Sequence, residues 1–484
     1  MKSLKLLLEN VHIQSCVGSI DISITNIYDD SNKVVEGSLF VAIIGANIDG
    51  HNFIKNALDR GAIAVICQYM PDNIHQGITY VKVDNTSFSL GLIASNFFNN
   101  PSFKIKLIGI TGTNGKTSTA YYLYLLFRKL NFKVGLISTI ENKIHTKSYP
   151  SNLTTPNSIY INKLLSLMVS EGCQFCFMEV SSHGICQQRI SGLDFDVAVF
   201  TNITRDHLDY HKSFENYLNT KKSFFDHLSS NATSIVNIDD QYAKTIMMDT
   251  QSKKLLYGIR NRAHHNTVIV ENTIDGLTLE FDGVEITTKL AGNFNAYNLL
   301  AAYTVALHFN QEKKLIQKHL SSIQQIPGRF NLLRSKGGVI GIIDYAHTPD
   351  ALQKVIASIS SFCNIKNDLI VVIGCGGNRD QGKRSLMGKI AYEESNMSIF
   401  TSDNPRYEDP NKIINDMLKD VSDEDKKDIQ LIPNREDAIC LAVKYASKGS
   451  VILLAGKGHE KFQDINGVKT PFNDFKILKK LLKI

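Results

Sequence analysis

Residues 111–117 read Thr-Gly-Thr-Asn-Gly-Lys-Thr, a glycine-containing string that ends in Gly-Lys-Thr. It follows the apolar run 105–110 and precedes the helix-like stretch 118–130. A strand, a glycine-rich turn and a helix in this order predict a phosphate-binding loop, because backbone N–H groups of the turn and of the helix N-terminus face an anion. In such a loop Lys116 reaches the terminal phosphates and the Thr117 hydroxyl ligates Mg²⁺. The stretch therefore predicts that the chain binds ATP.

The loop departs in one respect from the strict pattern Gly-x-x-x-x-Gly-Lys-Thr. Ile110 stands at the first glycine position, and Gly109 lies one residue earlier. A chance Gly-Lys-Thr in a surface loop is the alternative interpretation. The strand before the loop and the helix after it favour phosphate binding.

Length and composition indicate a globular protein of several domains. The chain has 484 residues, 43% of them hydrophobic and 21% charged, which is enough for about three domains of ordinary size. The net charge of +6 is not concentrated in a cluster of basic and aromatic residues, which argues against nucleic-acid binding. The sequence contains no convincing signal peptide and no apolar run long enough to span a membrane. We therefore expect no membrane insertion, and we expect a monomer that acts on small molecules.

Cysteine usage points to a reducing compartment. The eight cysteines are scattered along the chain and do not resemble a disulfide framework. Cys173 and Cys176 form a Cys-x-x-Cys pair without a second pair nearby, so we interpret them as small buried hydrophobic residues. These features predict a cytoplasmic location.

The order of apolar runs and breaks divides the chain into three predicted domains, 1–98, 99–326 and 327–484. The second and third domains alternate strand-like with helix-like segments, which is typical of parallel sheets covered on both faces. The expected fold class is α/β, with a small N-terminal α/β domain, a central P-loop ATPase-type parallel-sheet domain and a C-terminal Rossmann-like domain. The predicted strands of the second and third domains are 105–110, 134–139, 174–180, 196–203, 233–238, 339–344, 369–374, 397–401 and 450–455, and the first domain contains the short apolar runs 38–45, 62–67 and 78–83.

Polar residues follow two predicted strands of the middle domain. Strand 174–180 carries Glu179, and strand 196–203 leads into the Asp- and His-rich stretch 205–211. Because ligands bind at the carboxyl ends of parallel strands, a carboxylate there is expected to reach Mg²⁺ held by the phosphate loop. A hydrolytic metal site and a polar surface turn are the alternatives for the 205–211 cluster.

Lys221 falls within the apolar stripe of a predicted helix over 213–228. It follows Leu218 by three residues and Phe214 by seven, whereas Lys222 is rotated about 100° away. Burial disfavours the ammonium form and lowers the pKa, and a neutral amine reacts with CO₂ to give a carbamate. A lysine whose charged end extends to solvent from the edge of the stripe is the alternative.

The last domain carries four polar strand-to-helix turns, at 344–350, 374–383, 403–406 and 456–460. Asp344 is placed to accept hydrogen bonds from a ribose hydroxyl. The other turns supply two arginines and two carboxylates, which suit a zwitterion, since Arg pairs with a carboxylate while Asp and Glu accept from an ammonium. Independent solvated turns are the alternative.

These residues form strings that resemble the Mur ligase family, which builds the peptide stem of bacterial peptidoglycan. Order and spacing agree along essentially the whole chain. The strings are TGTNGKT at 111–117, LTTP at 153–156, MEVSSHG at 178–184, TNITRDHLDYH at 201–211, GNFNAYN at 292–298, PGRF at 327–330, DYAHTPD at 344–350, GCGGNRDQGKR at 374–384, DNPR at 403–406 and AGKGHE at 455–460.

The resemblance implies a bacterial, ATP-dependent ligase that joins meso-diaminopimelate to a UDP-muramoyl dipeptide through an acyl phosphate. It implies that ATP contacts Thr111, Gly112, Thr113, Asn114, Gly115, Lys116, Thr117, Asn298, Arg329 and Asp344. It implies that Mg²⁺ is held by Thr117, Glu179, His207 and Lys221, the last as the carbamate N6-carboxylysine. Lys116, Glu179, His207 and Lys221 are the implied catalytic residues.

The resemblance also assigns the other two substrates. The UDP-muramoyl dipeptide is expected at Ser31, Ala46, Asn47, Ile48, Thr154, Thr155, Ser181, Gln187 and Arg189. Diaminopimelate is expected at Arg379, Asp403, Asn404, Pro405, Arg406, Gly456 and Glu460. In this family an Arg at the position of Arg406, the end of DNPR, is typical of enzymes that use diaminopimelate. The distal centre of diaminopimelate carries a carboxylate that lysine lacks.

Three positions depart from the family pattern: Asn32 replaces an Arg, Asn378 replaces a common Asp, and Ser385 stands where Pro is frequent. The first departure weakens the details of uridine binding. Three alternatives remain: a ligase that adds L-lysine, a folylpolyglutamate synthase, and a nucleotide-dependent scaffold without turnover. Arg406 disfavours the first, the uridine-type first domain disfavours the second, and the intact Lys116, Glu179, His207 and Lys221 disfavour the third.

Overall fold

The structure is a computed structural model that describes residues 1–45, 48–362 and 369–484. Two residues predicted near the uridine, Ala46 and Asn47, lie outside the described residues. In the described ranges no helix has the length and apolar character needed to cross a membrane.

The first part of the chain is a small α/β unit. Its strands are β1 Lys2–Ser3, β2 Ile13–Val17, β3 Ser23–Ile24, β4 Ile27–Tyr28, β5 Ser38–Val41, β6 Ala62–Cys67 and β7 Thr79–Val83, and its helices are α1 Leu4–Leu7, α2 Ile54–Asp59 and α3 Thr86–Phe97. The sheet order is β2-β7-β6-β5-β4, with only the β2–β7 pair antiparallel within this sheet as described. The apolar runs 38–45, 62–67 and 78–83 correspond to β5, β6 and β7, and β6 has the same bounds as its run.

The middle part contains a large mixed sheet and a separate antiparallel sheet. Its strands are β8 Lys106–Thr111, β9 Val134–Ile137, β10 Glu141–Ile144, β11 Lys147–Pro150, β12 Phe175–Glu179, β13 Val197–Phe200, β14 Thr233–Asn237, β15 Lys253–Gly258, β16 His265–Asn266, β17 Val268–Thr273, β18 Gly276–Phe281 and β19 Val284–Thr288. Its helices are α4 Lys116–Lys129, α5 Ser158–Ser170, α6 Ser182–Cys186, α7 Leu208–His211, α8 Phe214–Asp226, α9 Ala243–Ile246, α10 Asn293–His308 and α11 Lys313–Leu320. The large sheet has the order β11-β10-β9-β12-β8-β13-β14-β15-β16.

The last part is again α/β. Its strands are β20 Asn331–Arg334, β21 Ile340–Asp344, β22 Leu369–Ile373, β23 Met397–Phe400, β24 Gln430–Leu431, β25 Val451–Ala455, β26 Phe462–Ile465 and β27 Val468–Pro471, and its helices are α12 Pro349–Phe362, α13 Arg384–Glu393, α14 Pro410–Met417, α15 Arg435–Tyr445 and α16 Asp474–Leu481. The main sheet has the order β20-β21-β25-β22-β23-β24 and is parallel except at β20.

The α/β fold class is confirmed, and antiparallel strands accompany the parallel sheets. β10 and β11 form an antiparallel hairpin on β9, and β17–β19 form an antiparallel sheet of their own. These strands are short and carry several polar residues, so their apolar signal is too weak to stand out in the sequence.

The core explains the glycine at position 109. Successive residues of β8 face opposite sides of the sheet, so that Ile108 and Ile110 pack in one core cluster and Leu107 in the other. A Cβ at Gly109 would lie 2.6 Å from Cζ of Phe224, which belongs to α8. Gly109 is therefore required for the close packing of α8 on the sheet rather than for binding phosphate.

The strand register gathers the polar turns at two sheet edges. Ile110 pairs with Glu179, and Thr111 pairs with Phe200, so the turn after β8 lies between the ends of β12 and β13. In the last part Ala455 pairs with both Asp344 and Ile373, and Ile373 pairs with Phe400. The turns that follow these strands therefore begin side by side, as predicted.

Candidate active site

A cavity of about 740 Å³ lies where the two sheet edges meet. Each of the four predicted sets of residues, for ATP, Mg²⁺, the dipeptide and the amino acid, contributes members to its wall. They are Thr113, Asn114, Gly115, Lys116, Thr117, Thr154, Thr155, Glu179, Ser181, Arg189, His207, Lys221, Asn298, Arg329, Asp344, Arg379, Asp403, Asn404, Arg406, Gly456 and Glu460. One cavity thus joins motifs that lie far apart in the sequence.

Six predicted site residues are not among the residues that line this cavity. They are Thr111, Gly112, Gln187, Pro405, Ser31 and Ile48. Ser31 is buried in the first part of the chain, and Ile48 is 66% exposed. Near Ser31, Asn157 donates to the Asp29 carboxylate at 3.1 Å, which joins the first part to the segment that carries Thr154 and Thr155.

The phosphate loop is held in shape by its neighbour β13. The backbone N–H of Thr113 donates to the Asn202 carbonyl at 2.8 Å, and that of Asn114 donates to the Asn202 side chain at 3.0 Å. Gly115, with φ of +87°, precedes the first residue of α4, and a Cβ there would lie 2.6 Å from Oδ1 of Asn298. Only glycine combines this backbone conformation with such a close approach.

The half-buried Lys116 and the buried Lys221 meet at one carbonyl of the loop. Nζ of Lys116 donates to the Gly112 and Thr113 carbonyls at 2.8 Å each, and Nζ of Lys221 donates to the Gly112 carbonyl at 2.9 Å. Burial lowers the pKa of Lys221 well below its usual value, and the nearby Lys116 charge lowers it further. Lys221 is 1% exposed. The predictions that Lys221 is buried and that its pKa is lowered are confirmed.

The Thr117 hydroxyl and the Glu179 carboxylate lie side by side. Thr117 Oγ1 donates to Glu179 Oε2 at 3.0 Å and accepts from Nη2 of Arg329 at 2.9 Å. The backbone N–H of Thr139 donates to Glu179 Oε1 at 2.8 Å. Hard oxygen donors next to a phosphate loop are the ligands that Mg²⁺ prefers.

His207 lines the same cavity from the next strand-to-helix turn. It has φ of +55°, and its Nε2 lies 3.3 Å from Oδ2 of the buried Asp206. Burial lowers the pKa of His207 to about 3, so the ring is neutral at pH 7 and keeps a lone pair for a ligand. Within the described residues, however, no group of three His, Cys, Asp or Glu side chains is arranged to hold a metal ion by itself.

A second network runs along the predicted dipeptide side of the cavity. The Thr155 hydroxyl donates to the Glu179 carbonyl at 2.8 Å and accepts from the Ser181 N–H at 2.9 Å. Nη1 of Arg189 donates to the Thr155 carbonyl at 2.6 Å, and its Nε donates to Gln187 at 3.1 Å. Gln187 therefore holds Arg189 without lining the cavity itself.

The predicted amino-acid residues form the far wall. Nη1 of Arg406 donates to the Gly377 carbonyl at 2.8 Å, and Nδ2 of Asn404 donates to Glu460 Oε2 at 2.7 Å. Burial raises the pKa of Glu460, and the Asp403 charge raises it further, while Lys457 acts in the opposite direction. The turns therefore present charged groups of both signs.

The last part, which carries residues predicted to bind the nucleotide, contacts the phosphate loop and the start of α4. The Arg329 guanidinium lies 4.6 Å from the Tyr345 ring centroid, and the Phe330 N–H donates to Asp344 Oδ2 at 2.6 Å. Nδ2 of Asn114 donates to Asp350 Oδ2 at 2.8 Å. The two sheet edges are thus joined through direct hydrogen bonds across the cavity.

Several residues at the site were not identified from the sequence: Thr139, Asp206, Lys383 and Lys457. Nζ of Lys383 lies 3.6 Å from Oδ1 of Asp206, a further link between the middle and last parts. Burial raises the pKa of Asp206, but Lys383, followed by His207, outweighs this effect and holds the pKa below its usual value. Asp206, Lys383 and Lys457 lie within the sequence strings that resemble the Mur ligase family, and that resemblance could have identified them.

Three family models match the chain in succession. They are "Mur ligase family, catalytic domain" at residues 23–98, "Mur ligase middle domain" at 110–306 and "Mur ligase, glutamate ligase domain" at 328–458. Together they cover most of the sequence.

Relatives match over nearly the full length. The UDP-N-acetylmuramoyl-L-alanyl-D-glutamate–2,6-diaminopimelate ligase of Bacteroides fragilis is 44% identical over 481 residues, 99% of each chain. The protein of the same name from Cytophaga hutchinsonii is 45% identical over 480 residues, also 99% of each chain. A solved structure of a ligase of that name superposes with a TM-score of 0.68 at 28% identity and covers 100% of this chain and 99% of its own. The chain belongs to the Mur ligase family.

Proposed function

We propose that the protein is an ATP-dependent ligase that adds meso-2,6-diaminopimelate to the D-glutamate of UDP-N-acetylmuramoyl-L-alanyl-D-glutamate. The observation that carries the proposal is the single cavity in which the phosphate loop faces the arginines and carboxylates of the last sheet edge. The names of relatives at 44% and 45% identity support the same substrates. Both nucleotide substrates belong to the cytoplasm, so we propose a cytoplasmic location.

The first step activates a carboxylate, which is a poor electrophile. An oxygen of the D-glutamate γ-carboxylate attacks the γ-phosphorus of ATP, and the bond from this phosphorus to the β,γ-bridging oxygen breaks. ADP departs, and the glutamate carboxylate has become an acyl phosphate. Lys116 and the N–H groups at the start of α4 stabilise the charge on the transferred group, while Asn298, Arg329 and Asp344 orient the nucleotide. Positioning and charge neutralisation supply the catalysis in this step.

The second step forms the amide bond. The neutral amine of diaminopimelate attacks the acyl carbon, phosphate leaves, and the nitrogen loses its proton. Hydrogen bonds across the cavity, from Arg329 to Thr117 and from Asn114 to Asp350, hold the two sheet edges together. This closure keeps out water that would otherwise hydrolyse the acyl phosphate.

Thr117 and Glu179 fit a Mg²⁺ ion, since their oxygens lie 3.0 Å apart beside the phosphate loop. When bound, the ion neutralises phosphate charge. Neutral His207 supplies a nitrogen donor on the same side of the cavity.

We propose that Lys221 is carbamylated. Its neutral Nζ attacks the carbon of CO₂, a C–N bond forms, and one proton is released to solvent. The product carries a negative charge and two oxygens where the sequence places a lysine. The buried position of Lys221 among the lining residues, with its lowered pKa, supports this modification.

We propose that three domains bind different substrates: residues 1–98 bind the uridine, residues 99–326 bind ATP, and residues 327–484 bind the amino acid. Each sheet of the described residues lies within one of these three ranges. Ser31 and Ile48 remain the described residues proposed near the uridine.

The test is phosphate release with ATP, Mg²⁺ and the UDP-muramoyl dipeptide, with meso-diaminopimelate or L-lysine added in parallel. Turnover with diaminopimelate alone supports the proposal. Turnover with lysine alone retains the ligase but contradicts the amino-acid assignment of Arg406. No turnover with either amine contradicts the proposed reaction, and the same assay without the dipeptide measures uncoupled ATP hydrolysis as the control.

A further inference from the structure

Lys457 is a fully buried lysine behind the amino-acid wall of the cavity. Its exposure is 0%, and it is not among the residues that line the cavity. Nζ donates to Glu460 Oε2 at 3.0 Å and to Asn404 Oδ1 at 3.1 Å, and it lies 3.5 Å from Asp403 Oδ1. One ammonium thus contacts three side chains that do line the cavity.

These contacts fix which atoms remain for a ligand. Glu460 Oε2 is already bonded to both Lys457 and Asn404 Nδ2, and Asn404 Oδ1 also accepts from the Asp464 N–H at 3.0 Å. Within this network, Glu460 Oε1 and Asp403 Oδ2 accept no hydrogen bond. Charge-assisted hydrogen bonds of this kind hold side chains in one geometry.

The charge balance of the wall also depends on Lys457. Arg379 and Arg406 are positive, Asp403 and Glu460 are negative, and Lys457 compensates one of the two carboxylates. Two arginines and one uncompensated carboxylate then face the cavity. The reactive form of meso-diaminopimelate, with one amine neutral, carries two carboxylates and one ammonium, which is the complementary set.

We propose that Lys457 is a positioning residue for the amino-acid substrate. Its ammonium orders Glu460, Asn404 and Asp403 from behind, so that Glu460 Oε1 and Asp403 Oδ2 receive the remaining ammonium of the substrate. The inference rests on the proposed function. Without this cation, the two neighbouring carboxylates of the wall lose their shared counter-charge, and the pKa of Glu460, already raised by burial, rises further, which weakens Glu460 as an acceptor for an ammonium.

The test is Lys457→Met, which keeps the length of the side chain and removes its charge. We expect the KM for meso-diaminopimelate to rise at least about tenfold, because the variant loses charged hydrogen bonds, while kcat and the KM for ATP stay within about threefold. Lys461→Met, at an exposed position four residues along the chain, is the matched control and should leave all three constants unchanged. Lys457→Gln, which keeps a donor without the charge, should lie between wild type and Lys457→Met, and it serves as the test if Lys457→Met does not fold.

A double-mutant cycle separates positioning from general damage. If Lys457 acts through Glu460, then Glu460→Gln should cost clearly less in the Lys457→Met background than in the wild type. Additive effects, or a KM for diaminopimelate that stays within twofold in Lys457→Met, would overturn the inference while wild-type turnover leaves the proposed function standing. A wild type that does not turn over diaminopimelate overturns both.

Discussion

Arg406→Ala provides a direct test of substrate choice. The Arg406 backbone is held independently of its side chain, since its N–H donates to the Asp464 carbonyl at 3.0 Å and its carbonyl accepts from the Asn466 N–H at 2.6 Å. Its φ of +51° is equally unfavourable for arginine and alanine, so this term cancels in the comparison. Truncation therefore removes mainly the guanidinium, whose Nη1 donates to the Gly377 carbonyl.

The expected loss is the interaction with the distal carboxylate of diaminopimelate. A hydrogen bond to a charged group contributes about 1.5–3 kcal/mol, so kcat/KM for meso-diaminopimelate should fall by about 10- to 150-fold at 25 °C. The residual activity with L-lysine should change by much less, because lysine has no carboxylate at that position. The lost bond to Gly377 affects both amines equally and does not alter their ratio.

The assay is phosphate release with each amine at a fixed concentration of ATP and UDP-muramoyl dipeptide. Arg262→Ala, at an exposed position in the middle part, is the control for loss of an arginine. An equal fall with both amines would refute the selective role of Arg406. An unchanged kcat/KM for diaminopimelate would refute its contact with the substrate.

Three further predictions concern buried titratable side chains. Lys221→Ala should abolish phosphate release, and bicarbonate should restore activity to wild type depleted of CO₂ but not to the variant; full activity of the variant would remove the carbamate from the mechanism. Arg435→Met should lower stability by about 3–5 kcal/mol in urea unfolding, because it leaves the fully buried Asp474 carboxylate without its partner at 2.7 Å, and a loss under 1 kcal/mol would contradict this. Burial lowers the pKa of His207 to about 3 and that of His347 to about 4 in the folded state, so the unfolded chain takes up protons first as the pH falls below about 6.5. The contribution of these histidines to stability should therefore be intact above pH 6.5 and decline towards pH 4. The thermal midpoint of His347→Gln should fall less steeply with decreasing pH than that of the wild type, and equal slopes in the two proteins would contradict this prediction.

The central fold was predictable because its signals are local. The loop 111–117 and the alternating apolar runs lie within short windows, and each of the nine strands predicted for the second and third domains overlaps one observed strand. Seven of them match the observed bounds to within one residue, as 105–110 does with β8, whereas 134–139 and 196–203 extend two and three residues past the ends of β9 and β13. In the first domain the apolar run 38–45 extends four residues past the end of β5 at Val41. The hairpin β10–β11 was missed, since short polar strands gain their stability from pairing with a neighbour rather than from their own pattern.

Lys221 shows how far periodicity reaches. Its place in the apolar stripe of α8 predicted burial and a lowered pKa, and both were confirmed. The stripe carried no information about the partner of Nζ, which is the Gly112 carbonyl on another strand-to-helix turn. The position of a lysine along its helix indicates whether the side chain is buried, but the hydrogen-bond partners of the side chain depend on the elements that pack against that helix.

The α/β class and the phosphate-loop motif follow from the amino-acid sequence alone, because each depends on residue types at close spacing. The folded chain was needed to show that Gly109 serves the packing of α8, that Lys383 pairs with Asp206 across the cavity, and that Lys457 lies behind Glu460. These contacts join separate turns, and strand register brings the turns together. Register and burial are properties of the folded chain as a whole, so no local window contains them.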